Sequence, residues 1–205
     1  MSTQAKLFVV AAPSGAGKTT LVKALLAHDP QLRFSVSYTT REQRKNEVDG
    51  RDYFFVDKEK FLELREAGAL LESALVFDNY YGTSRAQVEE QLHLGRNVIL
   101  EIDWQGARQV RESMPGCVTI FILPPSRAAL EHRLRSRRTD SDAVIARRLR
   151  DALGDMTHYA EFDYVIINDE LDRAIAELQA IVRGGGGGNR LDSPALLKQI
   201  KNILV

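Results

Sequence analysis

The chain has 205 residues, enough for one domain with a sizeable core, and its 44% hydrophobic and 27% charged content is ordinary for a globular protein. Basic and acidic residues balance at 28 each, which excludes the broad positive footprint of a nucleic-acid binder; one cysteine, Cys117, excludes an intrachain disulfide. The histidines (His28, His93, His132, His158) lie too far apart for a metal-ligand spacing, no apolar run approaches a membrane span, and residues 1–6 are too short and polar for a signal peptide. The expectation is a cytoplasmic protein with neither membrane nor nucleic-acid partners.

In chain order, Leu7 to Ala12 reads as a buried strand running into a glycine-rich turn, and Lys18 to Ala27 as the helix after it. Residues 37–86 mix polar turns, aromatics and short strand-like pieces, Tyr53 to Val56 and Leu70 to Val76, and look like an inserted lobe. Val98 to Asp103 predicts a second buried strand followed by a helix over Gln105 to Glu112, and Val118 to Leu123 a third strand closed by Pro124 and Pro125. Residues 126–156 read as helical and arginine-rich, with Ser126 placed to cap the first helix. Tyr164 to Asn168 is a fourth strand, backed by a helix over Leu171 to Arg183. Continuous apolar strands separated by helices predict an α/β fold with a parallel sheet covered on both faces. The run Gly184 to Gly188 reads as a flexible linker. Beyond it, Ser193-Pro194 starts a short amphipathic helix with Leu196, Leu197, Ile200, Ile203 and Leu204 on one face.

The segment Ala12-Pro13-Ser14-Gly15-Ala16-Gly17-Lys18-Thr19-Thr20 sits between the first strand and the first helix and fits the P-loop pattern, with Ala12 where a first glycine is usual. Gly15 and Gly17 permit the backbone angles and close approach that let successive N–H groups face phosphate oxygens at the positive end of a helix. Lys18 adds a charge near the β- and γ-phosphates, and the Thr19 hydroxyl is placed for Mg²⁺. Ala12 is tolerable where the backbone angles are ordinary. This segment identifies a nucleoside triphosphate, not a reaction.

Ser35-Val36-Ser37-Tyr38-Thr39-Thr40-Arg41-Glu42-Gln43-Arg44 is followed by Asp52-Tyr53-Phe54-Phe55, Leu71-Glu72, Asn79-Tyr80-Tyr81-Gly82-Thr83-Ser84 and Glu101-Ile102-Asp103-Trp104-Gln105-Gly106. With these motifs in this order, the chain resembles the guanylate kinase family from about residue 6 to about residue 183. The resemblance implies a P-loop parallel-sheet core (about 1–36, 87–125 and 157–183), a GMP-binding lobe (about 37–86), a helical lid (about 126–156), and residues 184–205 as an appended linker and helix. It implies transfer of the γ-phosphoryl group of ATP to GMP or dGMP, with Mg²⁺, in purine nucleotide metabolism. The chemistry agrees. Arg41 and Arg44 can fork a dianionic phosphate, and Tyr53 and Tyr81 can donate phenolic hydrogen bonds to it; by resemblance these four bind the GMP phosphate. Glu72 can accept from guanine N1–H and N2, while the Ser37 and Thr83 hydroxyls can donate to O6 or N7. By resemblance Asp103 approaches both the guanine and the Mg²⁺-bound phosphates; as a residue pattern it is equally a helix-capping aspartate, and the two roles are compatible.

Residues 127–150 hold eight arginines against three acids. The family pattern carries over onto Arg133, Arg137 and Arg148 as the lid arginines that reach the phosphates, with Arg138 where the family commonly has glycine; the other arginines read as solvated. Asn168 is an adenine contact by resemblance, or a turn-forming residue with Asp169. No histidine or carboxylate base is expected, because a GMP phosphate oxygen is already a nucleophile; Lys18, Arg41 and the lid arginines supply charge. Two rivals differ in class: a non-catalytic interaction module of the same fold, which would have a degraded P-loop, and a related kinase for another acceptor, opposed by Ser37, Glu72 and Thr83 together. The sequence leaves open a homo-oligomer.

Overall fold

Five consecutive apolar residues, Leu7–Ala11, form β1, and all are buried, as a strand covered on both faces requires. The computed structural model describes residues 5–76, 78–136 and 142–204. After β1 come α1 (Lys18–His28), β2 (Arg33–Phe34), β3 (Ser37–Thr39), β4 (Phe54–Phe55), α2 (Lys58–Glu66), β5 (Leu70–Val76), β6 (Asn79–Ser84), α3 (Arg85–His93), β7 (Val98–Glu101) and α4 (Trp104–Ser113). Then follow β8 (Val118–Leu123), α5 (Arg127–Ser136), α6 (Asp142–Asp155), β9 (Tyr164–Ile167), α7 (Leu171–Val182) and α8 (Pro194–Leu204), with 3₁₀ turns at Met156–Glu161 and Gly187–Asn189. One sheet runs β2-β7-β1-β8-β9 and a second β4-β3-β6-β5. The pairs β2–β7 and β8–β9 are parallel. This is the α/β class, a parallel sheet with flanking helices, that the alternating apolar runs predict. The chain forms two compact units, one of residues up to Val9 with Pro30–Val118, the other of Val10–Asp29 with residues from Thr119 onward.

The first unit holds the lobe sheet. Its β6 strand alternates as a half-covered strand must: Gly82 lies against the ring of Phe61 from α2, Tyr80 stacks on the same ring at 5.3 Å between centroids, and Tyr81 and Thr83 point to the other face. A Cβ at Gly82 would stand 3.0 Å from Phe61 Cζ and 3.0 Å from the Glu72 carbonyl oxygen, so glycine sets the depth at which α2 seats. The sequence pattern did not announce α2 or α3, because each buries a single side chain, Phe61 and Val88, and so has no apolar stripe. Their starts are set by caps instead: Asp57 accepts from the Lys60 N–H at 2.7 Å, and Ser84 from the Gln87 N–H at 3.3 Å. The outer strand β5 is covered by α4, where Gln109 Oε1 accepts from Ser73 N–H at 3.0 Å and Nε2 donates to Ser73 O at 2.9 Å. That carboxamide satisfies backbone groups an edge strand would otherwise expose.

In the second unit, the glycine run does not act as a loose tether. Gly184 takes φ 88° just after α7. Its N–H donates to Ile181 O at 3.0 Å and that of Gly185 to Ala180 O at 2.8 Å, the paired bonds that terminate a helix around a left-handed residue. The chain then turns back along β9. Arg190 bridges Tyr164 in antiparallel fashion, and Asn189 donates to Val165 O at 3.1 Å and Glu177 Oε2 at 2.8 Å. The tail helix α8 buries Leu196, Ile200 and Ile203, while Leu197 stays exposed. Arg127 of α5 donates to the Leu204 carbonyl near its end. The amphipathic pattern thus docks the tail on its own chain. Ile200, 1% exposed, should be a structural residue: Ile200→Ala is expected to cost about 2–5 kcal/mol in urea unfolding, with no change in the species seen by sedimentation. An unchanged unfolding midpoint would mean that the docking contributes nothing.

Candidate active site

The phosphate loop lies wholly within the second unit. Gly15 and Gly17 have φ of 90° and 96°, in the left-handed region that favours glycine, whereas Ala12 does not have positive φ, so its methyl group is accommodated. Gly17 is the N-terminal cap of α1 and the first turn carries no acidic residue. The amide end of the helix therefore keeps its positive potential for an anion. Lys18 begins α1 half-buried, with Thr19 and Thr20 exposed beside it. Ser126 caps α5, accepting from the Ala129 N–H at 3.0 Å.

What holds the loop was not legible in the sequence. The Asn168 carboxamide, buried at the end of β9, donates through Nδ2 to Ala16 O at 2.7 Å. Arg133 of α5 donates to the same carbonyl at 3.2 Å and to Asn168 O at 2.8 Å. A Cβ at Gly17 would stand 2.4 Å from Asn168 Nδ2, and one at Gly15 3.0 Å from Leu130 Cδ1. Asn168 is thus a strut under the loop, and the Arg133 guanidinium rests on loop backbone in this structure. Arg148 is half-buried on α6. Arg137, and Arg138 beside it, lie outside the described residues. Arg135, read as simply solvated, pairs with Glu131 at 2.9 Å and Asp142 at 3.0 Å on the surface.

The first unit gathers the other predicted set. In the lobe sheet, Thr83 is the register partner of Ser37 on β3 and of Glu72 on β5. Three strands therefore place Ser37, Thr83 and Glu72 in one row on one face, and all three are buried. Thr83 Oγ1 donates to Glu72 Oε1 at 2.7 Å. A hydroxyl has one proton, so here Thr83 orients the carboxylate and offers lone pairs, rather than donating to a base as the residue type alone suggested. Tyr81 stands one step along the same face, and its ring meets that of Tyr53 edge-on at 5.9 Å. Arg41 lies over Tyr53 at 5.4 Å from the ring centroid.

Glu47, whose residue type alone predicts no role, organises this corner. It accepts from Arg41 Nη2 at 2.8 Å and from the Arg44 N–H at 2.9 Å. Burial acts to raise the Glu47 carboxyl, but hydrogen bonds from Arg41 and Arg44, with the Arg41 charge, override it and hold the group below its ordinary value. Burial likewise pulls the Arg41 guanidinium down, and Glu47 more than restores it. The Arg44 side chain is exposed at the rim. Burial first, then the Glu101 charge, push the Tyr53 phenol up to about 12, so it remains an O–H donor near neutrality. Asp103 caps α4, accepting from the Gly106 N–H at 2.7 Å. The capping role that its residue type suggested is therefore present.

A sequence model of the guanylate kinase family matches residues 4–184. The guanylate kinase of Methylococcus capsulatus is 56% identical over 202 residues, covering 98% of this chain and 99% of that protein. The guanylate kinase of Escherichia coli K12 is 51% identical over 182 residues, 88% of each chain. The crystal structure of guanylate kinase from Anaplasma phagocytophilum superposes with a TM-score of 0.74 at 34% identity, over 96% of this chain and 95% of that one. A phosphate loop on a parallel sheet, a lobe that gathers buried polar groups, and near full-length similarity lead to one conclusion: this chain belongs to the guanylate kinase family.

Proposed function

We propose that the chain catalyses transfer of the γ-phosphoryl group of ATP to GMP, or dGMP, giving ADP and GDP. The observation that carries this reading is the buried row of Ser37, Thr83 and Glu72. A carboxylate held in an apolar sheet needs hydrogen-bond donors. Guanine presents two adjacent ones, N1–H and N2, whereas adenine presents a lone pair at N1. Thr83 fixes one oxygen of Glu72 and so orients the carboxylate for that edge. Ser37, at the other end of the row, would donate to O6 or N7.

The GMP phosphate falls to Arg41, Tyr53 and Tyr81, which the fold brings together, with Arg44 approaching from the rim. The two phenols add donors without charge, and the Glu47 carboxylate keeps the Arg41 fork in one orientation. A GMP phosphate oxygen attacks the γ-phosphorus, the bond to the β-bridging oxygen breaks, and ADP leaves with that oxygen; no side-chain base is needed. The loop amides, Lys18 and the lid arginines Arg133, Arg137 and Arg148 stabilise the charge on the transferring group. Arg133 would move from Ala16 O to phosphate as the lid closes, which also excludes water. Asn168 braces the loop, and an adenine contact remains part of its proposed role. Mg²⁺ suits the donors present, the Thr19 hydroxyl and the Asp103 carboxylate, since it prefers oxygen ligands; when bound with ATP it neutralises phosphate charge. A cytoplasmic setting is part of the proposal; among the described residues no helix is long and apolar enough to cross a membrane.

Three outcomes test these assignments. Lys18→Ala should lower turnover by about 10³-fold or more, as loss of a charge at the transferring phosphate does, with unfolding unchanged; near-normal turnover would displace the ATP site. Glu47→Gln should raise the GMP KM more than it lowers kcat. Because the folded Glu47 carboxyl lies below its ordinary 4.5, its stabilising contribution is complete above that pH and is lost as pH falls through the folded value. The stability gap between wild type and Glu47→Gln should therefore be flat from neutrality to about 4.5 and shrink below it; a gap that grows with acid would contradict the pairing. Glu72→Gln should narrow the GMP-to-AMP ratio of kcat/KM by about 10²-fold or more, and an unchanged ratio would mean that Glu72 does not face the base.

A further inference from the structure

We propose that Gly106 is a specificity-determining positioning residue: having no side chain, it leaves the Glu72 carboxylate the place from which it reads the guanine edge. This rests on the reading of Glu72 given above. Gly106 lies in the first turn of α4 and is buried. Its φ is not positive, so the backbone does not call for glycine, and alanine is the better helix former. The reason for glycine lies in space. A Cβ at residue 106 would stand 2.6 Å from Glu72 Oε2, 3.2 Å from Glu72 Cδ and 3.2 Å from Asp103 Oδ1. The three nearest atoms are all side-chain atoms of the Glu72 and Asp103 carboxylates rather than backbone of a neighbouring element.

That distinction decides the consequence. A clash with backbone would cost stability, whereas a clash with the end of a glutamate is relieved by moving the carboxylate. Restoring ordinary contact at 3.4 Å from 2.6 Å means a shift of about 0.8 Å for Oε2. The strand cannot retreat to absorb it, because Gln109, one helical turn beyond Gly106, grips both the N–H and the carbonyl of Ser73. Nor can the whole carboxylate slide without breaking the 2.7 Å bond from Thr83 to Oε1. The carboxylate must rotate or withdraw, and a displacement of that size removes a hydrogen bond to the base. Gly106 and Gln109, three residues apart on α4, thus act as a pair: one holds the strand carrying Glu72, the other leaves room for its carboxylate.

The test is Gly106→Ala in the full chain, with steady-state kinetics for GMP, AMP and ATP and a urea unfolding curve. The GMP KM should rise about tenfold or more, as loss of a charge-assisted hydrogen bond implies. The GMP-to-AMP ratio should narrow, the ATP KM should stay within about twofold (order-of-magnitude tolerance), and the unfolding midpoint should be equal to wild type or higher. In a Glu72→Gln background the same substitution should have a smaller effect, since the two act through one group. A GMP KM unchanged in Gly106→Ala, while Glu72→Gln alone narrows the ratio, overturns the role of Gly106 and leaves the guanine reading standing. An unchanged ratio in Glu72→Gln sinks the guanine reading itself. A lowered midpoint with equal losses toward both monophosphates, or full additivity in the double variant, makes Gly106 an ordinary packing residue and overturns the proposal.

Discussion

The lobe is organised around one costly group, a carboxylate taken out of water. Glu72 is 3% exposed, and a buried carboxylate is tolerated only where donors or positive potential surround it. Its surroundings follow from that need. The register across β3, β6 and β5 delivers the Thr83 hydroxyl to Oε1. The carboxylate also lies against the first turn of α4, where backbone amides carry partial positive charge. Gln109 keeps β5 against that helix. In the proposed function a guanine edge would add two more donors to this carboxylate, whereas an adenine edge would set the charge against a lone pair, and the proposed discrimination rests on that difference.

The second unit solves the opposite electrostatic problem. A triphosphate brings several negative charges, and the loop answers with backbone amides at the start of α1, left uncapped by any side chain at Gly17. Such a loop is useful only if it keeps its shape. Ala16 O receives both Asn168 Nδ2 and Arg133, so the end of β9 and the helix α5 hold one peptide from two sides. The tail continues this bracing, since α8 packs on its own unit and Arg127, on the same helix as Arg133, holds the carbonyl of Leu204. The family match ends at residue 184, whereas the Methylococcus capsulatus relative aligns over 98% of the chain. The tail is thus a feature shared with some relatives rather than part of the family core.

What the sequence made legible, and what it did not, divides along a physical line. Strands β1, β8 and β9 could be read because two-sided burial leaves continuous apolar runs, and the phosphate loop because its glycines are forced by positive φ. The helices α2 and α3 could not, because one buried side chain gives no period. The composition of Gly184 to Gly188 suggests a loose linker, since composition alone does not separate a flexible glycine run from one that terminates a helix. The difference lies in two hydrogen bonds back to α7. Of the proposed site, the groups assigned to a ligand are ones that residue chemistry and the family resemblance single out in the sequence: Arg41, Tyr53, Tyr81, Ser37, Thr83 and Glu72. The groups that orient them were not. Gln109 meets its partner 36 residues away and Asn168 meets Ala16 across 152. No local pattern announces such pairings, and Glu47 and Gly106 matter only through the side chains they touch.

The central claim is that Glu72 reads N1–H and the 2-amino group together. The most direct measurement leaves the protein unaltered and changes the ligand: kcat/KM for GMP against inosine monophosphate, which keeps N1–H and O6 but lacks the amino group. The specificity constant for inosine monophosphate is expected to be lower by about tenfold or more, carried mainly by KM, because one oxygen of a buried carboxylate loses its donor. Equal specificity constants would contradict it and would place the row of Ser37, Thr83 and Glu72 elsewhere than on that edge of the base.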